Sequence, residues 1–164
     1  LARLNMALRL EEGHQPRLRP GIGVDLCVEV FRQDPPNGVQ QGGAGGPPMA
    51  DVSAHTGLSV DDIVDLHTTP VYPVYALGSH PGYCYLGGMD ARIATPRRKV
   101  PVLSIPGGAV SIGGFQTGVS ASAGPSGWNT IGSTRMCFFD PSQEVPALLQ
   151  PGDAIRFRVE KVIR

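Results

Sequence analysis

Gly78-Ser79-His80-Pro81-Gly82-Tyr83-Cys84-Tyr85-Leu86-Gly87-Gly88 is followed by Ala94-Thr95-Pro96-Arg97-Arg98, by Ile105-Pro106-Gly107-Gly108-Ala109-Val110-Ser111-Ile112, by Gly114-Phe115-Gln116-Thr117-Gly118-Val119, and by Gly124-Pro125-Ser126-Gly127-Trp128-Asn129-Thr130-Ile131-Gly132. Each phrase is a short apolar run cut by Gly or Pro, which is how a strand between tight turns reads. Eight strands are expected from this pattern: Val71 to Leu77, Cys84 to Leu86, Val100 to Ile105, Ala109 to Ile112, Gln116 to Val119, Asn129 to Ile131, Met136 to Phe139 and Ala154 to Val159. Turn signals at intervals of about ten residues favour a barrel or sandwich over a sheet built from βαβ units.

Upstream, Val24, Leu26, Val28 and Val30 alternate with Asp25, Cys27, Glu29 and Phe31, the period of two that a half-buried strand requires. Asp34 to Pro48 is almost entirely Pro, Gly, Asn, Gln and Ala, too poor in apolar side chains to offset its ordering entropy, and is expected to be a flexible loop. Two short helices are expected at Asp51 to Ala54 and Ser59 to His67, joined at Gly57. Ser59 serves as N-cap of the second, Asp61 and Asp62 sit in its first turn, and Val60, Ile63, Val64 and Leu66 form its apolar face. Leu1, Leu4, Ala7, Leu8 and Leu10 recur at helical spacing before Gly13.

The chain's 164 residues suit one domain with a real core. Its 22 glycines and 16 prolines are about twice an ordinary chain's roughly 12% share, which in a chain 41% hydrophobic reads as punctuation between strands. Fourteen basic and fourteen acidic residues cancel, leaving no global field to attract polyanions. The paired helices superficially match a helix-turn-helix. Asp61, Asp62 and Asp65, with no Lys or Arg on the second helix, would be repelled by phosphates, so nucleic acid is not an expected partner. Cys27, Cys84 and Cys137 lie more than fifty residues apart, with neither disulfide-framework nor zinc-knuckle spacing. A reduced, cytoplasmic setting is expected, and no apolar run approaches the ~20 residues that span a bilayer.

Taken together, the five quoted phrases, with Leu66-His67-Thr68 and Leu149-Gln150-Pro151-Gly152-Asp153, resemble the KipI/PxpB family, which comprises small 5-oxoprolinase subunits, allophanate hydrolase subunit 1 and the carboxyltransferase region of urea carboxylase. The resemblance extends over roughly Val52 to Phe157 and implies a mainly β fold: a cyclophilin-like closed β-barrel with two short helices. It also implies a small α/β lobe before the barrel. That lobe is expected to be largely absent, with residues 1–20 its last helix and residues 21–164 the barrel domain. The chain departs from the family pattern at Ser79, Ser120-Ala121, Ser126 and Ser133. Ser126 takes the place of a turn glycine, where a positive φ would impose strain.

By this resemblance the chain is expected to act in an ATP-dependent complex that opens 5-oxoproline to glutamate, with a KipA/PxpC-like large subunit and a PxpA-like lactam-hydrolysing subunit. ATP would be used by the complex, with no covalently bound cofactor. A carboxyltransferase role toward urea or allophanate, and inhibition of a sensor histidine kinase, are the alternatives that the family offers. No Ser/His/Asp set, carboxylate pair or metal cluster of recognisable spacing is present, so the isolated chain is expected to have no turnover of its own and to hold no metal.

Several residues are candidates for the site. Arg97, in the Thr-Pro-Arg phrase, has the planar fork suited to a carboxylate. Gln116 can both donate and accept toward an amide edge, and Thr117 adds a hydroxyl beside it. Pro81 and Gly82 form a turn where the backbone can approach a ligand closely. His67 is the candidate for proton transfer. Arg97, Gln116 and the Pro81-Gly82 turn are expected to meet at one face, with Trp128 in the barrel core.

Overall fold

The computed structural model describes residues 23–31, 39–40 and 49–163. The strands are β1 (Gly23–Phe31), β2 (Val39–Gln40), β3 (Tyr72–Leu77), β4 (Cys84–Leu86), β5 (Val102–Ile105), β6 (Ala109–Gly113), β7 (Gln116–Val119), β8 (Gly124–Ser126), β9 (Asn129–Ser133) and β10 (Ala154–Ile163), and the helices are α1 (Met49–Thr56) and α2 (Val60–Thr68). The expected helix over the first ten residues lies outside the described residues, as does most of the loop expected from Asp34 to Pro48. Within that loop Val39 and Gln40 pair with Glu29 and Val28 of β1.

Turn chemistry decides where the chain reverses, and alternation decides which side chains go inside. The main sheet runs β10-β3-β4-β7-β6-β9-β1-β2, and β10 also pairs with β1, so the β1–β10 ladder joins the two flanks of a curled sheet. Its ladders are antiparallel except β1 with β9, where Val24 and Asp25 meet Gly132 and Ser133 in parallel register. Cys84 and Leu86 pair with Val119 and Thr117, and all four point inward. Val74, Val110, Ile112, Ile131, Ile155 and Phe157 complete that interior. The mainly-β expectation with two short helices is met.

Helix α2 starts where its sequence says it should. Ser59 accepts from the Asp62 amide while the Asp62 carboxylate accepts from the Ser59 amide, a reciprocal cap that satisfies two otherwise unpaired donors. Ile63 and Val64 are buried against the β10 side, whereas Asp61, Asp62 and Asp65 face solvent. Met49 and Val52 bury α1 against β9.

One expected strand does not form, and one strand was not expected, each for an identifiable reason. Met136 to Phe139 alternates as expected, with Met136 and Phe138 buried and Arg135 and Cys137 exposed, but its backbone makes only one bridge, Phe139 with Ala147. Burial pattern alone does not supply a neighbouring strand. Gly124 to Ser126, read as a turn, is β8, pairing with β5 in a separate two-stranded ribbon. Proline is tolerated in a strand that has a free edge, and Pro125 lies in one.

Candidate functional site

The outer face of strands β4, β7 and β6 is built around two missing side chains. In an antiparallel ladder, residues directly opposite each other project to the same face. Tyr85 is opposite Gly118, and Gln116 is opposite Gly113. A Cβ on Gly118 would stand 2.8 Å from the Tyr83 hydroxyl, and a Cβ on Gly113 would overlap the Trp128 indole. These glycines let the rings lie against the sheet. Tyr83 and Tyr85 have centroids 4.8 Å apart, and each meets Trp128 edge-on at 6.1 Å. Trp128, 7% exposed, is therefore buried on the outside of the sheet and is not part of the interior cluster where the sequence reading placed it.

Arg97 sits over this aromatic patch, its guanidinium carbon 5.4 Å from the centre of the Trp128 ring. That is cation-π distance. The loop carrying it is fixed at several points. Thr95 and Gly114 exchange backbone hydrogen bonds of 3.2 and 2.7 Å, Asn129 Nδ2 donates to the Pro96 carbonyl at 2.9 Å, and the Arg98 amide donates to Gly127 O at 2.7 Å. Arg98 also donates to Asp51 Oδ2 at 2.7 Å, tying the loop to α1. Among the described residues Arg97 has no carboxylate partner, so its fork faces solvent beside the exposed Gln116. Burial is the main reason that the Tyr83 phenol is held well above its ordinary range; Tyr85 adds to this and Arg97 partly opposes it.

The structure thus brings Arg97 and Gln116 to one face, and it places Thr117 and His67 on the other side of the sheet. Thr117 points inward and is fully buried. Its hydroxyl donates to Ser111 O at 3.1 Å and lies 2.9 Å from His67 Nε2, so Nε2 carries the proton that Thr117 accepts. His67 is 1% exposed, packed on Phe157 and Tyr72 with centroids 4.7 and 5.5 Å away, and its backbone carbonyl accepts from Tyr72 OH at 2.7 Å. Burial pushes its pKa down to about 3. His67, the candidate for proton transfer, thus lies in the core on the opposite side of the sheet from Arg97, where burial favours its neutral form.

Pro81 and Gly82 line an open hollow of about 340 Å³ with Leu77, Gly78, Ser79 and His80 at the tip of the β3–β4 hairpin. Gly82 has φ 76°, and a Cβ there would lie 2.6 Å from Phe139 Cβ and 2.9 Å from Phe138 O. The close approach that requires this glycine is made by the protein's own chain. His80 connects the hollow to the aromatic patch through an edge-on contact of 5.2 Å with Tyr83. Ser79, φ 62°, is the one non-glycine residue with positive φ among the described residues, so the strain considered for Ser126 resides at Ser79 instead.

The sequence reading missed Tyr83, Tyr85 and Gly113 as makers of the site. The signal was present in Tyr83-Cys84-Tyr85, where alternation puts two aromatics on the face opposite a buried cysteine. Because Trp128 rests on Gly113, Gly113→Ala is expected to displace the indole and release Arg97 from its perch. Overpacking of this kind destabilises by about 1 to 3 kcal/mol. The single tryptophan makes the event visible: its emission should shift to the red as the ring becomes exposed, and an unchanged spectrum in the folded variant would reject the arrangement.

Comparison with known proteins accords with this architecture. Residues 39–149 match the model of the carboxyltransferase domain, subdomain C and D. The chain is 50% identical to a 5-oxoprolinase subunit of Escherichia coli O157:H7 over 123 residues, covering 75% of this chain and 56% of that protein. It is 45% identical to the 5-oxoprolinase subunit of the same name from Bacillus subtilis strain 168, covering 71% of this chain and 48% of the relative. A solved structure, the conserved uncharacterized protein PH0987 from Pyrococcus horikoshii, superposes with a TM-score of 0.65 at 48% identity, covering 69% of this chain and 52% of that one. TTHA0988 superposes at 0.64 with 38% identity, covering 66% of this chain and 22% of the other. The chain belongs to the carboxyltransferase subdomain C and D family, in its KipI/PxpB branch. It spans about half the length of these two 5-oxoprolinase subunits.

No helix among the described residues is long and apolar enough to cross a membrane, and no group of three or more His, Cys, Asp or Glu among them could hold a metal ion.

Proposed function

We propose that this chain works as a subunit of an ATP-dependent 5-oxoprolinase complex, with a KipA/PxpC-like large subunit and a PxpA-like subunit, and that its Arg97–Trp128–Gln116 face holds the substrate. The observation that carries the reading is a cationic fork held over an indole, without a carboxylate partner among the described residues, beside an exposed amide. A small anionic lactam presents what this face lacks: a carboxylate for Arg97 and an amide edge for Gln116. The names of the relatives support the same substrate class. His67 and Thr117 support the face from inside the sheet.

The start of α2 offers no phosphate cradle: the Asp62 carboxylate accepts from the Ser59 amide, the Ser59 hydroxyl accepts from the Asp62 amide, and Asp61 adds further negative charge. ATP is used by the complex as a whole. The family's description as a carboxyltransferase favours a second reading, carboxyl transfer to urea or allophanate at the same face.

The test is substrate-dependent ATP turnover in the reconstituted complex, with 5-oxoproline and urea as separate substrates. Arg97→Ala should weaken substrate use tenfold or more, since a charge-assisted contact contributes roughly 1.5 to 3 kcal/mol. Its melting temperature should not change, because the side chain is exposed. Wild-type kinetics in this variant would remove the site from this chain. Turnover with urea alone would replace the lactam reading with the carboxyl-transfer one.

A further inference from the structure

A tyrosine hydroxyl withdrawn from bulk water normally finds a partner, because an unbonded phenol forfeits the hydration it had in the unfolded chain. Tyr72 follows the rule: fully buried, it donates to the His67 carbonyl at 2.7 Å. Tyr83 does not. Only 9% of the residue is exposed, yet its hydroxyl is neither bonded to a described residue nor sealed from solvent.

The sheet holds that hydroxyl in one place. Gly118 lies between Tyr85 of β4 and Ser111 of β6 in the two ladders, so all three positions project outward, and the phenol tip occupies the space that a Cβ on Gly118 would take. The Ser111 hydroxyl, on the same row, pairs with Thr130 at 3.1 Å instead. The Tyr83 ring is clamped by His80 at 5.2 Å, Tyr85 at 4.8 Å and Trp128 at 6.1 Å, so its donor is presented with little rotamer freedom left to lose. Arg97 rests on the same indole, and its charge reaches the phenol. Burial outweighs that charge and keeps the phenol protonated. Beside the guanidinium there is thus a fixed O–H donor with no acceptor among the described residues.

We infer that Tyr83 is a specificity-determining residue of the substrate face, its hydroxyl donating to the same carboxylate that Arg97 grips. This deepens, and rests on, the reading of that face as the site of a small anionic lactam. A carboxylate has acceptor sites for both donors at once, which leaves Gln116 for the amide edge. A ligand without a carboxylate, such as urea, gains nothing from the phenol.

The experiment is 5-oxoproline-dependent ATP turnover in the reconstituted complex, with Tyr83→Phe, Arg97→Ala and the double variant. Tyr83→Phe should raise KM about tenfold, as loss of a bond to a charged acceptor does, and leave kcat within about twofold. Its melting temperature and Trp128 emission should match wild type, since the hydroxyl supports nothing in the chain. In the Arg97→Ala background the same change should cost about threefold or less, because effects on one shared carboxylate do not add. Wild-type KM for Tyr83→Phe in an active complex would overturn the inference and leave the lactam reading standing. A raised KM with a lower melting temperature and red-shifted Trp128 emission would make the phenol a packing element, and full additivity with Arg97→Ala would put its bond on another atom; either result overturns the inference. If the wild-type complex uses no 5-oxoproline, or uses urea alone, the lactam reading fails and takes the inference with it.

Discussion

Adding one methyl group at Gly108 is expected to cost the protein about 4 kcal/mol of folding stability. Gly108 has φ 79°, its amide donates to Ser120 O at 2.6 Å, and its carbonyl accepts from the Thr134 amide at 2.9 Å. A Cβ there would overlap the Thr134 carbonyl oxygen, which is backbone and cannot swing aside as a side-chain end would. Two penalties combine: a left-handed conformation unfavourable by roughly 1 to 2 kcal/mol for a residue with a Cβ, and a steric clash that must break the bonds holding β6 beside its neighbours. A total of about 4 kcal/mol or more lowers the midpoint by roughly 10 °C or more for a domain of this size. Gly152 provides the control, since it has φ 95° with nothing within 4 Å of its Cβ position. Gly152→Ala isolates the conformational part and should lower the midpoint by only a few degrees. Equal losses in the two variants would show that the Thr134 contact contributes nothing.

Gly108 also shows how far the sequence could be read. Pro106-Gly107-Gly108-Ala109 announces a turn before a strand, and the turn is there. What the sequence could not state is that Thr134, 26 residues later, closes against that glycine, because the sheet order places β6 beside β9 rather than beside its sequence neighbour β5. The same limit governs the site. Arg97 and Gln116 were singled out from residue chemistry alone, and both are exposed in the structure. Trp128 was misplaced because a large apolar ring reads as interior, and only the Gly113–Gln116 register reveals a groove outside the sheet for it. His67 was singled out for proton transfer from its residue type and the Leu66-His67-Thr68 resemblance, whereas Thr117, fifty residues away, supplies a buried partner that no local pattern could indicate.

The burial of His67 should make the protein lose stability on acidification well before its carboxylates protonate. In the folded state its pKa is lowered to about 3 by desolvation, against 6.5 for the unperturbed side chain. Between those values the unfolded chain binds a proton that the folded chain refuses, so stability falls as pH falls, at up to about 1.4 kcal/mol per pH unit. Above pH 6.5 this contribution is fully present; by pH 4.5 about 2.7 kcal/mol of it has gone, which corresponds to roughly 5 to 10 °C in the midpoint. Asp90, held down to about 2 by the Arg92 side chain and amide, and Asp140, lowered by its bonds from Ser142 and Gln143, act only below the ordinary carboxylate range. They do not contribute to the window from pH 6.5 to 4.5. His67→Leu tests the assignment, because Thr117 retains its bond to Ser111 O and the cavity remains filled. The variant's midpoint should stay nearly flat across that window while the wild type's declines. Parallel curves would mean that the imidazole accepts its proton in place, and that a route from solvent to the interior side of β7 opens in the folded protein.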